Sequence, residues 1–415
     1  MLGAAHAIDT MRQSAWLNRD RVVAWCLILA VLEAALLVFI ALWQHGAFGP
    51  SAPQSSDFVS FYAAGKLVLA GTPALAYDQS AHFLVEQAVR GPDIPYQFFF
   101  YPPVYLLLCA LLACMPYYVA FVVFEVASLV PFLLVVRAIL RESRWAWLAP
   151  VLAFPAVFWT IGLGQNAFLT AALFGGFGLL LDRKPATAGV LLGLLCYKPH
   201  FGVLAPAALI AGGHWRAFAV ASATVLGLVV LSVVLFGTET WWAYLGATIN
   251  ANGVFGSGRI DYAGMITIFG AERLMGFAVG PAYALQAVAS LEMVMLVALI
   301  WRRRISPALQ FVTLLSATLL AVPVALIYDQ MLLLLALIWF LREARDTGFL
   351  SWERLMLAAI YPIALCTWEF GTAWHLPLGP IPPSMLLLLC VRRVWLLGSR
   401  RGFTRPDAPH ARDLL

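Results

Sequence analysis

The sequence predicts an all-α polytopic membrane protein, with about twelve transmembrane helices and interfacial helices in its first external loop. Two compositional observations carry this reading. Apolar residues make up 62% of the 415 positions and charged residues 11%, against about 45–50% and about 25% in soluble domains. The mean hydropathy is +0.86, and the apolar residues fall into runs long enough to cross a hydrocarbon core of about 30 Å. Such a chain has too little polar surface for a water-soluble core, which excludes soluble enzymes, nucleic-acid modules and disordered scaffolds. The net charge of +5 is no nucleic-acid signal, because the basic residues sit in short loops between apolar runs.

In chain order the expected spans are 22–44, 118–138, 145–161, 166–182, 186–198, 200–211, 216–237, 282–301, 307–326, 329–342, 354–371 and 384–398. Residues 103–116 are read as an interfacial or re-entrant helix, and 186–211 as a hairpin hinged at Tyr197-Lys198-Pro199. The positive-inside rule supports both choices. They leave only Lys66, Arg90, Lys198, Arg259 and Arg273, of 26 basic residues, on the exterior side, with both termini cytoplasmic. Changing both choices together gives a weaker alternative, which misplaces Arg137, Arg141, Arg144, Arg183 and Lys184. The whole chain, 1–415, reads as one integral membrane domain with no fixed-period repeat.

Two external segments are long. The first, 45–102, holds an amphipathic stretch from Asp57 to Leu67 and a second from about Asp78 to Val89. Each ends in Gly and Pro stop signals and suits a position flat in the membrane interface. The second, 238–281, is rich in Gly, Asn and aromatics and reads as a covering loop. No cleavable signal peptide is evident before the first span. The six cysteines all lie in apolar segments without a CxxC pair, which argues for inert buried thiols rather than disulfides or a zinc site.

Polar residues interrupt apolar stretches at Asp57, Tyr101-Pro102-Pro103, Gln165-Asn166, Tyr197-Lys198-Pro199-His200 and Tyr328-Asp329-Gln330. Ionisable groups at membrane depth are costly, so they are expected to face an internal cavity. Under the expected topology all five interruptions lie at the exterior ends of spans, which points to one outward-opening cavity. Asp57 reads either as a helix N-cap or as a general base, and one residue can be both. Lys198, at a turn between short helices, reads as a snorkelling lysine or as a partner for a lipid phosphate, with His200 beside it. Gln165 and Asn166 are helix caps or hydrogen-bond partners of a sugar or phosphate. Asp329 could bind a substrate hydroxyl or pair with Arg259 or Arg273. Glu33, Glu125, Glu292 and Glu369 read as structural. The sequence has no P-loop, no GxGxxG, no HExxH, no GxSxG and no DxD pair.

Read together, Ser56-Asp57-Phe58 with Phe61-Tyr62-Ala63-Ala64, Leu69-Ala70-Gly71-Thr72-Pro73 and Tyr77-Asp78 resemble the first external loop of glycosyltransferase family 87. The same holds for Phe100-Tyr101-Pro102-Pro103, Gly162-Leu163-Gly164-Gln165-Asn166, Gly193 to Pro199 and Tyr328-Asp329, in order over about residues 50–345. The resemblance implies the GT-C fold and a polyprenyl-phosphate-sugar-dependent hexosyltransferase in a bacterial inner membrane, with its active site on the periplasmic face. It implies mannose as the sugar and a lipid or glycan acceptor in cell-envelope glycolipid biosynthesis. Asp57 matches the family's base, and reaction would invert the anomeric centre. Lys198, His200, Arg259 and Arg273 would hold the donor phosphate. Tyr62, Tyr101, Gln165, Asn166, Tyr328 and Asp329 would line the substrate site. No metal, cofactor or nucleic acid is expected. Many members carry His where this chain has Tyr328. A transporter or flippase of lipid-linked saccharides and a non-catalytic envelope-assembly partner are the competing readings.

Overall fold

The computed structural model describes residues 9–14, 16–44, 47, 56–142, 144–256, 260–303 and 305–400. It is all-helical, with no strand among the described residues beyond one isolated bridge between Met265 and Leu326. Four helices are long and apolar enough to cross a bilayer: α1 (Arg19–Gln44), α5 (Tyr117–Leu140), α11 (Trp215–Phe236) and α14 (Val279–Trp301). A fifth span is reached if Glu353–Leu365 and Thr367–Trp374, bent by 55° against each other, count as one. These helices turn apolar side chains outward. Ile28 and Val31 on α1, Val122 and Leu134 on α5, Val230 and Val234 on α11, and Leu291 and Leu299 on α14 are exposed. Apolar surface on this scale marks contact with lipid. The protein is a membrane protein.

Between Gln44 and α5 come α2 (Phe58–Leu69), a 3-10 turn at Pro73–Tyr77, α3 (Gln79–Arg90) and, after the 3-10 turn Pro103–Tyr105, α4 (Leu106–Ala113). α2 is buried on nearly every side and packs on α3 and α4. Gly65 permits this crossing: a Cβ there would overlap the Cys109 carbonyl of α4. Helices thus form where the interfacial ones are expected, but α2 lies inside the protein. Its mixed aromatic and small-residue faces serve helix packing, which periodicity alone does not separate from an interfacial role.

Several expected spans are broken or short. Residues 145–161 form α6 (Leu148–Leu152) and α7 (Pro155–Leu163), because Pro155 cannot continue the preceding helix. Next come α8 (Ala167–Leu180), α9 (Pro185–Leu194), two 3-10 turns at Leu195–Tyr197 and Pro199–Gly202 with Lys198 between them, and α10 (Ala205–Gly212). The hinge at Tyr197-Lys198-Pro199 is where the sequence put it. α9 lies against α11 through Gly189 and Gly193, facing Ala217 and Ala221. This is the small-xxx-small spacing that lets helix backbones approach in membranes.

The second long segment is largely helical rather than a covering loop. It forms α12 (Thr238–Gly256) and α13 (Ile268–Leu274), and α12 packs on Pro73–Tyr77 of the first loop. α15 (Pro307–Ala321) and α16 (Met331–Thr347) form the most buried layer. Between them the chain returns through Ile327–Gln330, which places Tyr328 and Asp329 inside the protein. α17 (Glu353–Leu365), α18 (Thr367–Trp374) and α19 (Ile381–Arg400) close the chain. The buried guanidinium of Arg393 donates to both carboxylate oxygens of Glu353 and to Thr347, fastening α19 to the start of α17.

Candidate active site

Asp57 stands at the N-cap position of α2 but makes no capping hydrogen bond. Its carboxylate turns away and accepts from Gln165 Nε2 at 2.6 Å. Gln165 reaches it because α7 ends at Gly164, whose φ of +69° turns the chain sharply. A residue with a Cβ would be strained at that φ and would strike the Phe58 Cβ and the Phe121 ring. Ser56 ties the same two segments, donating to the Leu163 carbonyl at 3.2 Å. Burial pushes the Asp57 carboxyl up to about 6, while the Gln165 hydrogen bond and the Lys198 charge hold it down and Asp329 raises it. The side chain is only partly covered, so it is enclosed by protein yet open to a ligand.

Around Asp57 lies an aromatic and amide network. Tyr101 donates its hydroxyl to Gln165 Oε1 at 3.3 Å, and Tyr77 donates to the Tyr101 carbonyl at 2.9 Å. Asn166 Nδ2 donates to the Tyr105 hydroxyl at 3.2 Å. Tyr101, Tyr105 and Tyr197 form a stack, with ring centroids 4.5 and 5.1 Å apart, and Phe61 meets the first two edge-on. Tyr197 shares a 2.7 Å hydrogen bond with Thr170. The Asn166 Oδ1 is buried without a hydrogen-bond partner among the described residues, an acceptor available to a ligand or a water.

Lys198 does not snorkel. It is 4% exposed and its Nζ lies 2.9 Å from Asp329 Oδ1, over the rings of Tyr328 and Phe201. Asp329 Oδ2 accepts from the Leu326 N–H at 3.0 Å. Asp329, read as a partner of Arg259 or Arg273 or as a ligand of a substrate hydroxyl, thus pairs with Lys198 among the described residues. The cause is the 3-10 turn at Ile327–Gln330, which brings the carboxylate back to the Lys198 hinge. His200, next to this pair, is exposed.

The structure thus brings Asp57, Gln165, Tyr101 and Asn166 into one hydrogen-bonded group, with Lys198, Asp329 and Tyr328 electrostatically adjacent. Two expected members lie apart. Tyr62 is buried and donates to the Met115 carbonyl at 2.8 Å, at the entry to α5. The guanidinium of Arg273 is engaged by Tyr262, Phe277 and Gly256 within its own segment. Arg259 lies outside the described residues. No group of His, Cys, Asp or Glu that could hold a metal occurs among the described residues.

Sequence reasoning passed over Tyr105 and Thr170, named Tyr197 only as part of the hinge, and missed a buried pair under α2. His82 Nε2 lies 3.1 Å from the Ser60 carbonyl, and its Nδ1 faces Glu86 Oε1 at 3.5 Å. Burial lowers His82 to about 4 and raises Glu86 to about 8. Burial thus drives both groups toward their neutral forms, with Nδ1 and Oε1 facing each other. The i, i+4 spacing on a helix was the available signal.

The family model for glycosyltransferase family 87 matches residues 99–328, more than half of the chain. The chain belongs to glycosyltransferase family 87. No curated protein and no solved structure matches it. The family 87 match takes in Tyr101, Gln165, Asn166, Lys198, His200 and Tyr328. Asp57 and Asp329 fall outside it, but hydrogen bonds from Gln165 and Lys198 tie them to the matched region. The chain is therefore a membrane glycosyltransferase.

Proposed function

We propose that this glycosyltransferase moves a sugar, mannose, from a polyprenyl-phosphate donor to a hydroxyl of a lipid or glycan acceptor at the periplasmic face of a bacterial inner membrane. Under this proposal the fold is GT-C, the shorter apolar helices complete about twelve spans, and both termini are cytoplasmic. The observation that carries the reading is the Asp57 carboxylate. It is released from its helix cap, oriented by Gln165 and raised to about 6 by burial. A carboxylate with its pKa just below neutrality is ionised at working pH yet more basic than an ordinary one, which suits a general base.

Asp57 takes the proton of the acceptor hydroxyl while that oxygen attacks the anomeric carbon. The bond from that carbon to the phosphate oxygen breaks, the configuration inverts, and polyprenyl phosphate leaves with the electron pair. Lys198 opposes the phosphate charge as it develops, and the exposed His200 beside it can donate a hydrogen bond to the same phosphate. For this the donor phosphate must share the Lys198 ammonium with Asp329. Asn166 Oδ1 accepts from the sugar, and Tyr101, the half-buried ring at the end of the stack, lines its site. An apolar cleft of about 390 Å³, lined by Val68, Pro73, Leu107 and Phe236, suits the polyprenyl chain. No cofactor enters the scheme.

The test is transfer from a panel of radiolabelled polyprenyl-phosphate sugars into envelope lipid, by membranes carrying the wild-type chain or Asp57→Asn. Label from the mannosyl donor that disappears in the variant is the expected result. Full transfer by a well-inserted Asp57→Asn protein would end the assignment of the base. Absence of transfer from every donor would favour a transporter of lipid-linked saccharides or an assembly partner.

A further inference from the structure

At the end of the molecule away from Asp57, a cavity of about 700 Å³ opens between α1 and the helices behind it. α16 measures the separation. Arg345, which lines the cavity, is 16 positions beyond Asp329 in sequence, about 24 Å at helical rise. The cavity exists because α1 packs chiefly on α6 and α7 and does not close over α16 and α17. Its walls are apolar, with Val22 and Leu29 on one side and Leu337 and Leu357 on the other. Three arginines, Arg19, Arg345 and Arg354, line it as well, and no acidic residue does.

The charge there is unbalanced. Arg19 and Arg345 share a single carboxylate, Glu142, at 3.9 and 3.8 Å. Arg354 lies over the Phe349 ring, and no carboxylate among the described residues pairs with it. An apolar groove edged by guanidinium groups complements a molecule with an alkyl chain and a phosphodiester head. Guanidinium forks match phosphate oxygens, and an anionic head group keeps the arginines solvated while its chain fills the groove. The volume falls within the span of about 300–1,000 Å³ usual for ligand sites.

We infer that this groove binds an anionic glycerophospholipid of the surrounding bilayer, with an acyl chain between α1 and the α16–α17 pair and its phosphate on Arg19, Arg345 and Arg354. This lipid is neither donor nor acceptor, and it fixes α1 to the body of the enzyme.

Native mass spectrometry of the detergent-purified full chain tests it, with phosphatidylglycerol, phosphatidylcholine, polyprenyl phosphate and inorganic phosphate added in separate arms. Wild-type protein should retain phosphatidylglycerol at least tenfold better than phosphatidylcholine and keep that preference in excess inorganic phosphate. The Arg345→Ala/Arg354→Ala variant should lose the preference. Ala358→Trp, which fills the groove and leaves the arginines in place, should lose retention. Asp57→Asn should keep both, whether or not it transfers sugar, so failure here is distinct from failure of the proposed activity. Equal retention of the two phospholipids, selective retention of polyprenyl phosphate alone, displacement by inorganic phosphate, or an unchanged preference in a folded groove-filled or double-arginine variant would each overturn the inference.

Discussion

Replacing Asp329 by asparagine would leave the Lys198 ammonium buried without its counter-charge. The pair is 2.9 Å long and each side chain is 5% exposed, so water cannot take the partner's place. Asparagine keeps an oxygen for the Leu326 N–H, which isolates the loss to the charge. Removing one partner of such a pair typically costs about 3–5 kcal/mol. Lys198→Met, which strands the carboxylate instead, should cost a similar amount. The double variant Lys198→Met/Asp329→Asn removes both charges and should lie within about 2 kcal/mol of wild type, since neutral replacement of a buried pair is often tolerated. The cycle therefore predicts a coupling of at least about 4 kcal/mol. Denaturation in detergent micelles, followed by circular dichroism, measures all four proteins. Single-variant costs that add within about 0.5 kcal/mol in the double would show that the two charges do not support each other, and the reasoning would fail. Transfer activity then separates structure from chemistry. A double variant that regains stability but not transfer assigns the pair a role in the reaction. One that regains both leaves the pair purely structural.

The Asp57 base predicts a rate that rises with pH. Its carboxyl is raised to about 6, so the ionised form is lost as pH falls through 6, and the rate at pH 5 should be about a tenth of the plateau in a profile of initial rates. Gln165→Leu removes the 2.6 Å hydrogen bond that holds this carboxyl down. A hydrogen bond to a charged group is worth about 1.5–3 kcal/mol, so the midpoint should move to higher pH by roughly one to two units, and an unmoved midpoint would separate Gln165 from the base. Gly65→Ala forces a methyl group into the Cys109 carbonyl at the α2–α4 crossing. It should cost about 1–3 kcal/mol by overpacking, read as a lowered melting temperature, and it should lower transfer because α2 carries Asp57.

Composition made the membrane class plain, and the hinge at Lys198 followed from a lysine and a proline between two short apolar runs. The number of crossings did not follow, for a physical reason. Hydropathy cannot tell a residue that faces lipid from one buried in protein. α16 and α1 are both apolar in sequence, yet α16 is buried along most of its length and α1 along almost none. The same blindness misplaced α2, whose small and aromatic faces meet α3 and α4 rather than the interface. Residues of the site were easier to find than their partners. Asp57, Gln165, Asn166, Lys198 and Asp329 each stood out as a polar group in apolar surroundings, where burial without a partner is costly. That cost also requires a partner for every charge, but it does not name one. From sequence Lys198 reads as a snorkelling lysine or as a partner of a lipid phosphate, and the 3-10 turn at Ile327–Gln330, invisible to periodicity, gives it Asp329 instead. The choice has a chemical consequence. A free lysine would attract any phosphate that entered, whereas one already held at 2.9 Å by a carboxylate favours a ligand that can share it. A lipid phosphate brought in by its own apolar chain, at high effective concentration, meets that requirement better than a freely diffusing ion.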